Sequence, residues 1–499
     1  MEEIDEQNWY YAHRLFQCVA AASRPLCAAE LAEFLAFDFE AGSTPKFLAD
    51  WRSEDPENKV LSICSTLLVV VKPFWGSPVI QFAHFSVKKY LTSTRLSETK
   101  DTISRFHVSM TAAHTIVAQA CLGFLLHLDE NITKDGLKDF PLAEYAAKHW
   151  VDHARFESVS SNVHDGMKCL FDPRQRHLSV WVWIYDPENH RHRFERSQRP
   201  SQAAATSLHY AAFCGIHDIA TFLIVERSQD VNARGFSDNE TPLHITVRRG
   251  DVEFVRVLLE HGADREARDE NDWSPLERAI KYEHVELIRV LLEHGANVNA
   301  QDTGGCTPLD FASSWGKPAV IRTLLKHGAD VNAQNKDNQT PLHQTDVKEV
   351  AQIILEHGAD ANAQDKDNQT PLHRTSVPEV AQILLEHGAD ANALEIKNRT
   401  PLHLASKNGR VGVVRVLLEH GVDANARDAD NATPTHLASA SDYPEWVCLD
   451  VVRLLLQYGS DVHALDNEGQ TAFMRATEKR RRPIMRLLLE NGAEDHRKR

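Results

Sequence analysis

The chain has 499 residues, enough for about three domains at roughly 150 residues each. Its 55 Lys and Arg against 71 Asp and Glu leave a formal charge of −16, which argues against the basic footprint of a general nucleic-acid binder and against docking on anionic membrane. Hydrophobic residues make up 42%, enough to argue against wholesale disorder, and the 8 dispersed cysteines form no C-x-x-C pair, which points to reduced, buried thiols rather than zinc or a dithiol centre.

In chain order, the acidic start Met1–Glu6 is the opposite of a secretory leader. Ile4–Ala22 reads as a helix on the spacing of Ala12, Leu15, Phe16 and Val19, and Arg24-Pro25 ends it. A second helix carries Leu31, Phe34 and Leu35. Asp55-Pro56 is a cap followed by an N1 proline and opens a third helix with Val60, Ile63, Cys64 and Leu67. Leu68–Lys72 and Val79–Phe85 are β-prone runs around Pro73–Pro78. Three helices and a hairpin outline a winged helix. Its third helix has Lys59 as its one basic residue between Glu57 and Leu67, which argues against DNA binding.

Arg24-Pro25-Leu26, Glu30-Leu31-Ala32 and above all Phe82–Leu91 (F-A-H-F-S-V-K-K-Y-L) resemble the winged-helix domain of the GPI inositol-deacylase type. In fungi that domain commonly follows a NACHT module and precedes ankyrin repeats, so the resemblance implies a NACHT–ankyrin, NOD-like receptor arrangement. Phe140–Ala146 and Trp150 resemble the segment that links the wing to the repeats in such proteins. The sequence holds neither the phosphate loop G-x-x-x-x-G-K-[ST] nor the lipase elbow G-x-S-x-G. The family's nucleotide-dependent and hydrolytic activities are therefore not expected of this chain.

Thr115–Leu128 is the most apolar run, broken by Gln119 and His127 and shorter than the roughly 20 residues of a spanning helix. His149 and His153 sit four apart on a helical face, but Trp150 stands where a zinc hydrolase has Glu, so a surface or capping role is expected. Trp181 and Trp183 alternate with Val180, Val182 and Ile184 in a half-buried strand pattern expected to cover the first repeat. His190-Arg191-His192-Arg193 reads as a solvated linker.

From there the phrase T-P-L-H, intact or degraded, recurs at Thr206, Thr241, Ser274, Thr307, Thr340, Thr370, Thr400, Thr433 and Thr471, at spacings of 35, 33, 33, 33, 30, 30, 33 and 38 residues. Units end alike, as in L-L-E-H-G-A-D at 258–264. These nine units resemble ankyrin repeats. In the unit from Thr400, the threonine caps a helix with Pro401 at N1, Gly409 ends it in a left-handed conformation, and Val413, Val414, Leu417 and Leu418 form the stripe of a second helix. A single unit cannot bury that stripe, whereas stacked units share a core. The recurrent His209, His244, His343, His373 and His403 are expected, by analogy, to bond near the Thr cap and between neighbouring repeats rather than to bind metal.

The expected fold is mostly α: a winged-helix domain (1–95), a helical linker region (96–201) and an ankyrin-repeat domain (202–494). The expected function is a non-catalytic protein-interaction scaffold or sensor, with no cofactor, metal, nucleic acid, membrane or evident small-molecule substrate. The alternative is the regulatory part of a nucleotide-dependent switch whose NTPase lies elsewhere. A cytoplasmic location is expected, with Lys479–Arg482 as a second reading toward nuclear import. The finger tips are expected to be acidic through Asp238, Glu240, Asp269, Glu270, Asp272, Asp302, Asp337, Asp365, Asp367, Asp428 and Asp430. The two 30-residue units lack three residues at the end of the first helix, a deletion of roughly 4.5 Å. The resulting notch is expected to be rimmed by Asp337, Asn338, Gln339, Asp367, Asn368 and Gln369, which, with Lys397 and Asn398, are the candidate partner-binding residues.

Overall fold

The computed structural model describes all residues except 1–3, 5–7, 41–43, 65, 73–76, 99–101, 130–131, 188–204, 237 and 495–499. It divides into two compact units, Met1–Asp264 and Arg265–Arg499. That division falls inside the repeats: the first two repeats belong to the first unit.

The first unit runs α1 (Trp9–Ala21), β1 (Leu26–Cys27), α2 (Ala28–Phe34), β2 (Phe37–Asp38), β3 (Lys46–Phe47), α3 (Pro56–Cys64), β4 (Leu68–Val71) and β5 (Val79–Phe82). It continues through α4 (Phe85–Leu91), α5 (Thr94–Ser97), α6 (Met110–His127), α7 (Lys134–Leu137), α8 (Leu142–Ala154), α9 (Ser160–Phe171) and α10 (His177–Ile184). The β-prone runs form a hairpin as expected, with Leu68 opposite Phe82, and the short β1 adds to its other side, with Leu26 opposite Ile80. The sheet order is therefore β1-β5-β4, all antiparallel. The second run is shorter than expected, because Phe85 already belongs to α4, where His84 caps by accepting from the Ser86 amide.

The core of this unit is α6, on which α1, α8 and α9 pack. Its 18 residues and mean hydropathy of 1.3 make it long and apolar enough to cross a membrane by length and composition, which the interrupted run Thr115–Leu128 had concealed. Half of it is buried inside the protein. The buried Glu33 joins α2 to α8: its Oε2 accepts the Leu142 amide at 2.8 Å, a free donor of the first helical turn, and its Oε1 lies 2.8 Å from Arg52.

The strand expected around Trp181 is the helix α10. Leu178, Val180, Trp181 and Val182 are all buried there, so the run is apolar around most of the helix and carries no amphipathic period to read. The covering role does hold: the Trp181 indole donates to Ala147 O at 2.7 Å and its ring lies against Trp150 (5.5 Å), Phe171 (5.9 Å) and Tyr210 of the first repeat (6.1 Å). Residues 190–193 lie outside the described residues.

Nine helix pairs follow among the described residues, two in the first unit and seven in the second. In the second unit, first helices stack on first helices and second helices on second helices. Full-length first helices there have seven residues, such as Pro308–Ser314 and Pro401–Lys407. The two short units keep four each, Pro341–Gln344 and Pro371–Arg374. The long unit at Thr433 keeps a seven-residue first helix, and its insertion extends the second helix, Glu445–Gln457, to 13 residues against the usual nine. The protein is thus mostly helical, with ankyrin-type pairs in its C-terminal region.

Candidate protein-interaction face

Each repeat is built around its threonine. In the unit at Thr400 the His403 amide donates to Thr400 Oγ1 (3.4 Å), and the Thr400 amide donates back to His403 Nδ1 (3.2 Å), a capping box with histidine in place of the usual acid. The other ring nitrogen, Nε2, donates to Ala432 O of the next repeat at 3.2 Å. The same bridge links His209 to Glu240 O, His343 to Gln369 O, His373 to Arg399 O and His436 to Gln470 O, at 3.0–3.1 Å. One neutral tautomer, with its proton on Nε2, serves both bonds. Burial holds these rings neutral, and His209 is pushed down to about 4. His209, His343, His373 and His403 are thus inter-repeat bridges, as expected, His436, hidden in T-P-T-H, joins them, and His244 makes the same local bonds to its Thr241.

One repeat departs. In T-P-L-D, Asp310 occupies the histidine's place, and its Oδ2 accepts from the Thr307 amide (2.7 Å) and hydroxyl (2.8 Å). Its Oδ1 is buried with no hydrogen-bond partner among the described residues, and burial raises the carboxyl to about 6. A carboxylate cannot donate to a neighbouring carbonyl as a neutral imidazole does.

The finger tips correct the expectation of an acidic surface with few basic residues. Five residues before each Thr or Ser from 274 onward stands Asp269, Asp302, Asn335, Asp365, Glu395, Asp428 or Asp466. All but Asp302 are buried, and the side-chain oxygen of each accepts backbone amides two and four residues on, as Asp428 Oδ1 does from Asp430 (2.9 Å) and Ala432 (2.8 Å). Asp269, Asp365 and Asp466 also pair with an arginine nine residues on, and Glu240 pairs with Arg248. These acids hold turns. The exposed ones, including Asp337, Asp367 and Asp430, alternate with exposed Lys336, Lys366 and Lys397, so the tips are mixed in charge.

All eight candidate partner-binding residues lie in one row of tips. Asn338, Asn368 and Asn398 take left-handed conformations, φ 56°, 60° and 55°, and so shape the turns. The carbonyls of Asp337, Asp367 and Lys397 accept amides of the next tip, from Lys366 (3.0 Å), Ile396 (3.1 Å) and Ala429 (2.8 Å). Gln369 O accepts from both the Asp365 amide (2.9 Å) and His343 (3.0 Å), and the Gln339 side chain accepts from Gln344 (2.6 Å). The tips do not rim the shortened helices. They precede the N-terminus of each first helix, and the deletion removes its C-terminal turn, so the two features lie at opposite ends of the helix.

Nor is the space at that end empty. Thr345 and Thr375 leave their helices in extended conformations, with ψ 134° and 137°, and both are buried. Asp346 accepts from the Thr375 hydroxyl (3.0 Å), the Ser376 amide (3.1 Å) and the Ser376 hydroxyl (2.6 Å). Arg410, from the next full repeat, donates to His373 O and Thr375 O, each at 3.0 Å. Arg481 treats the long repeat alike, donating to Ser441 O and to Tyr443 O at 2.9 Å. Lys479 pairs with Asp442 at 2.6 Å, so two residues of the basic run are engaged within the fold.

Sequence reading missed an aromatic shelf. Trp273, Phe311 and Trp315, all half-buried, tile together with centroids 5.4–5.6 Å apart, and the Trp273 and Trp315 planes are within 10°. Leu309, Ala312 and Ser313 take the buried face of the same helix, which leaves Phe311 and Trp315 on its open side. Their spacing from the repeat threonine, four and eight residues, is the signal that could have found them.

In the first unit, His153 is fully buried rather than superficial. Its Nε2 meets the Tyr145 hydroxyl at 2.9 Å and its Nδ1 meets His114 Nδ1 at 2.8 Å, and burial pushes it down to about 3. His149 instead lies beside Asp152 at 3.3 Å. No group of three His, Cys, Asp or Glu placed to hold a metal ion occurs among the described residues.

An ankyrin-repeat family model, described as three copies, matches overlapping stretches at 208–302, 283–335, 309–395, 345–428, 376–466 and 428–499. Azaphilone pigments biosynthesis cluster protein L of Monascus ruber is 28% identical over 279 residues, covering 52% of this chain and 57% of that protein. Potassium channel AKT3 of Oryza sativa subsp. japonica is 44% identical over 52 residues, covering 10% of this chain and 6% of the channel. The chain thus spans less than two thirds of either relative. With threonine-capped helix pairs, bridging histidines and a family match over more than half its length, the chain belongs to the ankyrin-repeat family.

Proposed function

We propose that this chain is a non-catalytic protein-interaction scaffold that engages its partner on the open side of the first helices. The observation that carries this reading is the shelf of Trp273, Phe311 and Trp315: large half-exposed aromatics on a rigid repeat surface are the residue types that dominate binding energy at interfaces. The eight tip residues from Asp337 to Asn398 are then peripheral contacts. Affinity capture with the full chain and with the W273A/W315A double variant tests it. Proteins bound by the wild type should be depleted about tenfold or more by the variant. An unchanged set would refute the assignment.

The N-terminal region supports the finer reading, a fungal NACHT–ankyrin-type sensor in the cytoplasm. The order α1-β1-α2-β2-β3-α3-β4-β5, with β5 between β1 and β4 and β2 paired with β3 in a separate sheet, supports a winged-helix reading. The similarity to a Monascus ruber cluster protein fits a fungal origin. The alternative, the regulatory part of a switch with its NTPase on another chain, predicts capture that depends on added ATP, whereas a plain scaffold captures the same proteins with and without it.

A further inference from the structure

A cleft of about 360 Å³ opens in the first unit between the end of α1, the β1–β5 pair and α4. Its floor is apolar and fixed, since Leu26 and Ile80 are each only 1% exposed. Phe82 and Phe85 wall it, and Phe85 stands 76% exposed at the lip on a helix that buries only Leu91. The polar lining consists of Ser23, Arg24, Gln81 and Lys88, so none of the described lining residues is a carboxylate. With Arg24 paired to Glu30, Lys88 leaves the lining with one net positive charge in a chain of charge −16. Three other clefts of the same unit all have acids in their walls: Glu144, Asp129, and the group Glu157, Asp218 and Asp251.

The polar end of the cleft is held in place. Arg24 is locked by Glu30, donating to its Oε2 at 2.9 Å, and keeps 39% of its side chain exposed. The Ser23 amide donates to the Tyr145 hydroxyl at 3.1 Å. The Ser23 hydroxyl lies 3.4 Å from His153 Nε2, which the Tyr145 hydroxyl approaches more closely at 2.9 Å. The nearer tyrosine is the better placed partner of that nitrogen, and the serine hydroxyl is exposed at the cleft.

We propose that this cleft binds a small organic carboxylate with an apolar tail. The tail lies on Leu26, Ile80, Phe82 and Phe85, and the head group meets Lys88, Arg24 and the Ser23 hydroxyl. Charge complementarity selects the anion, and the apolar floor selects against small inorganic anions, whose hydration the site cannot replace. Neither the composition nor the net charge of the sequence announced such a ligand, because the cleft residues come from two distant stretches, 19–26 and 80–88.

Calorimetric titration of the full chain with decanoate, decanol and decyltrimethylammonium tests the proposal. Decanoate should bind saturably, decanol about tenfold or more weaker, and the cationic amphiphile not at all. K88E should weaken decanoate by about tenfold, while K134E, at a different cleft, should leave it unchanged. F85A should weaken decanoate and decanol alike. Equal binding of decanol and decanoate, indifference to K88E, or no saturable decanoate binding would each overturn the proposal. So would an acidic peptide that binds at Lys88 where decanoate does not, which would make the cleft a peptide-docking site. Thermal unfolding of K88E and F85A that matches the wild type certifies that their losses are local.

Discussion

The full and shortened repeats solve the same problem in different ways. A full repeat closes its first helix by itself: Gly215, Gly250, Gly316 and Gly409 turn the chain through left-handed conformations, with φ between 63° and 76°. The shortened repeats have no such residue, and they end differently: at the second, Arg410 reaches back across 37 and 35 residues to donate to His373 O and Thr375 O, while at the first, Asp346 accepts from Thr375 and Ser376 of the next repeat. The long repeat at Thr433 ends extended at Ser441 and receives Arg481. Arg410 and Arg481 each directly follow the left-handed residue of their own repeat, Gly409 and Arg480. Where the next unit carries arginine after its left-handed residue, the fork of that arginine spans two carbonyls and caps the repeat of altered length before it.

The largest expected effect concerns what both kinds of repeat share. The bridging histidines and His153 are held neutral in the folded state, so unfolding takes up protons once the pH drops below the ordinary histidine value near 6.5. Stability is therefore undiminished above that value and declines as the pH falls toward the depressed folded values. For His209, at about 4, the loss is on the order of 3 kcal/mol, taking about 1.4 kcal/mol per unit. His217 acts in the opposite sense, because its bond to Asp251 raises it, but it stands alone against at least five. Urea midpoints at pH 7.5, 6 and 4.5 should fall in that order. A midpoint that stays flat to pH 4.5 would show that the bridges do not carry the stacking.

Next in size is the element that separates the two kinds. R410A leaves two part-buried carbonyls without donors and should cost about 2–3 kcal/mol. R410K should recover only part, since a single ammonium lacks the fork. Hydrogen exchange should rise first around residues 371–386, with the N-terminal pairs unaffected, because repeats couple mainly to their neighbours. Uniform loosening of the whole chain would contradict this local picture.

Much of this was legible in the sequence. Thr, Pro, His and Gly recur at fixed offsets, and each does locally what its chemistry dictates, so the helix pairs and the three-residue deletion could be placed to the residue. The acids five residues before each threonine were visible too, but were read as surface charge when their constant offset marks a turn. Arg410 could not have been read, since its partners are main-chain carbonyls more than thirty residues away, and any residue type carries a carbonyl. Helix α10 failed for the opposite reason, an apolar run so complete that no period survives. The shelf was hidden because Trp273 and Trp315 lie 42 positions apart and meet only when two repeats stack.

Asp310 sharpens the comparison at a full-length repeat that has lost its bridge. Burial raises its carboxyl to about 6, so the folded state carries a penalty above that pH that vanishes below the ordinary carboxylate value near 3.8. D310N should remove the penalty, and D310H should add the missing donor, for a gain of about 1–2 kcal/mol at pH 7.5 that disappears near pH 4. Denaturation at the two pH values reads both. Equal gains at both would mean that packing, not ionisation, sets the cost.

The smallest effect tells the two repeat types apart by its sign. Arg480 stands where four other repeats have glycine, at φ 57°, with its side chain exposed. A non-glycine residue there carries about 1 kcal/mol of steric cost. R480G removes that cost but gives the unfolded chain more freedom, so the net gain should be about 0.5 kcal/mol. At Thr375, where the shortened repeat leaves its helix extended, glycine relieves nothing. T375G instead loses the hydroxyl bond to Asp346 and a buried methyl group, and should destabilise by about 1–2 kcal/mol. Paired denaturation curves settle it: opposite signs mean that helix ends in this protein follow two distinct rules, while a loss at both sites would mean that Arg480 is held by more than its backbone angle.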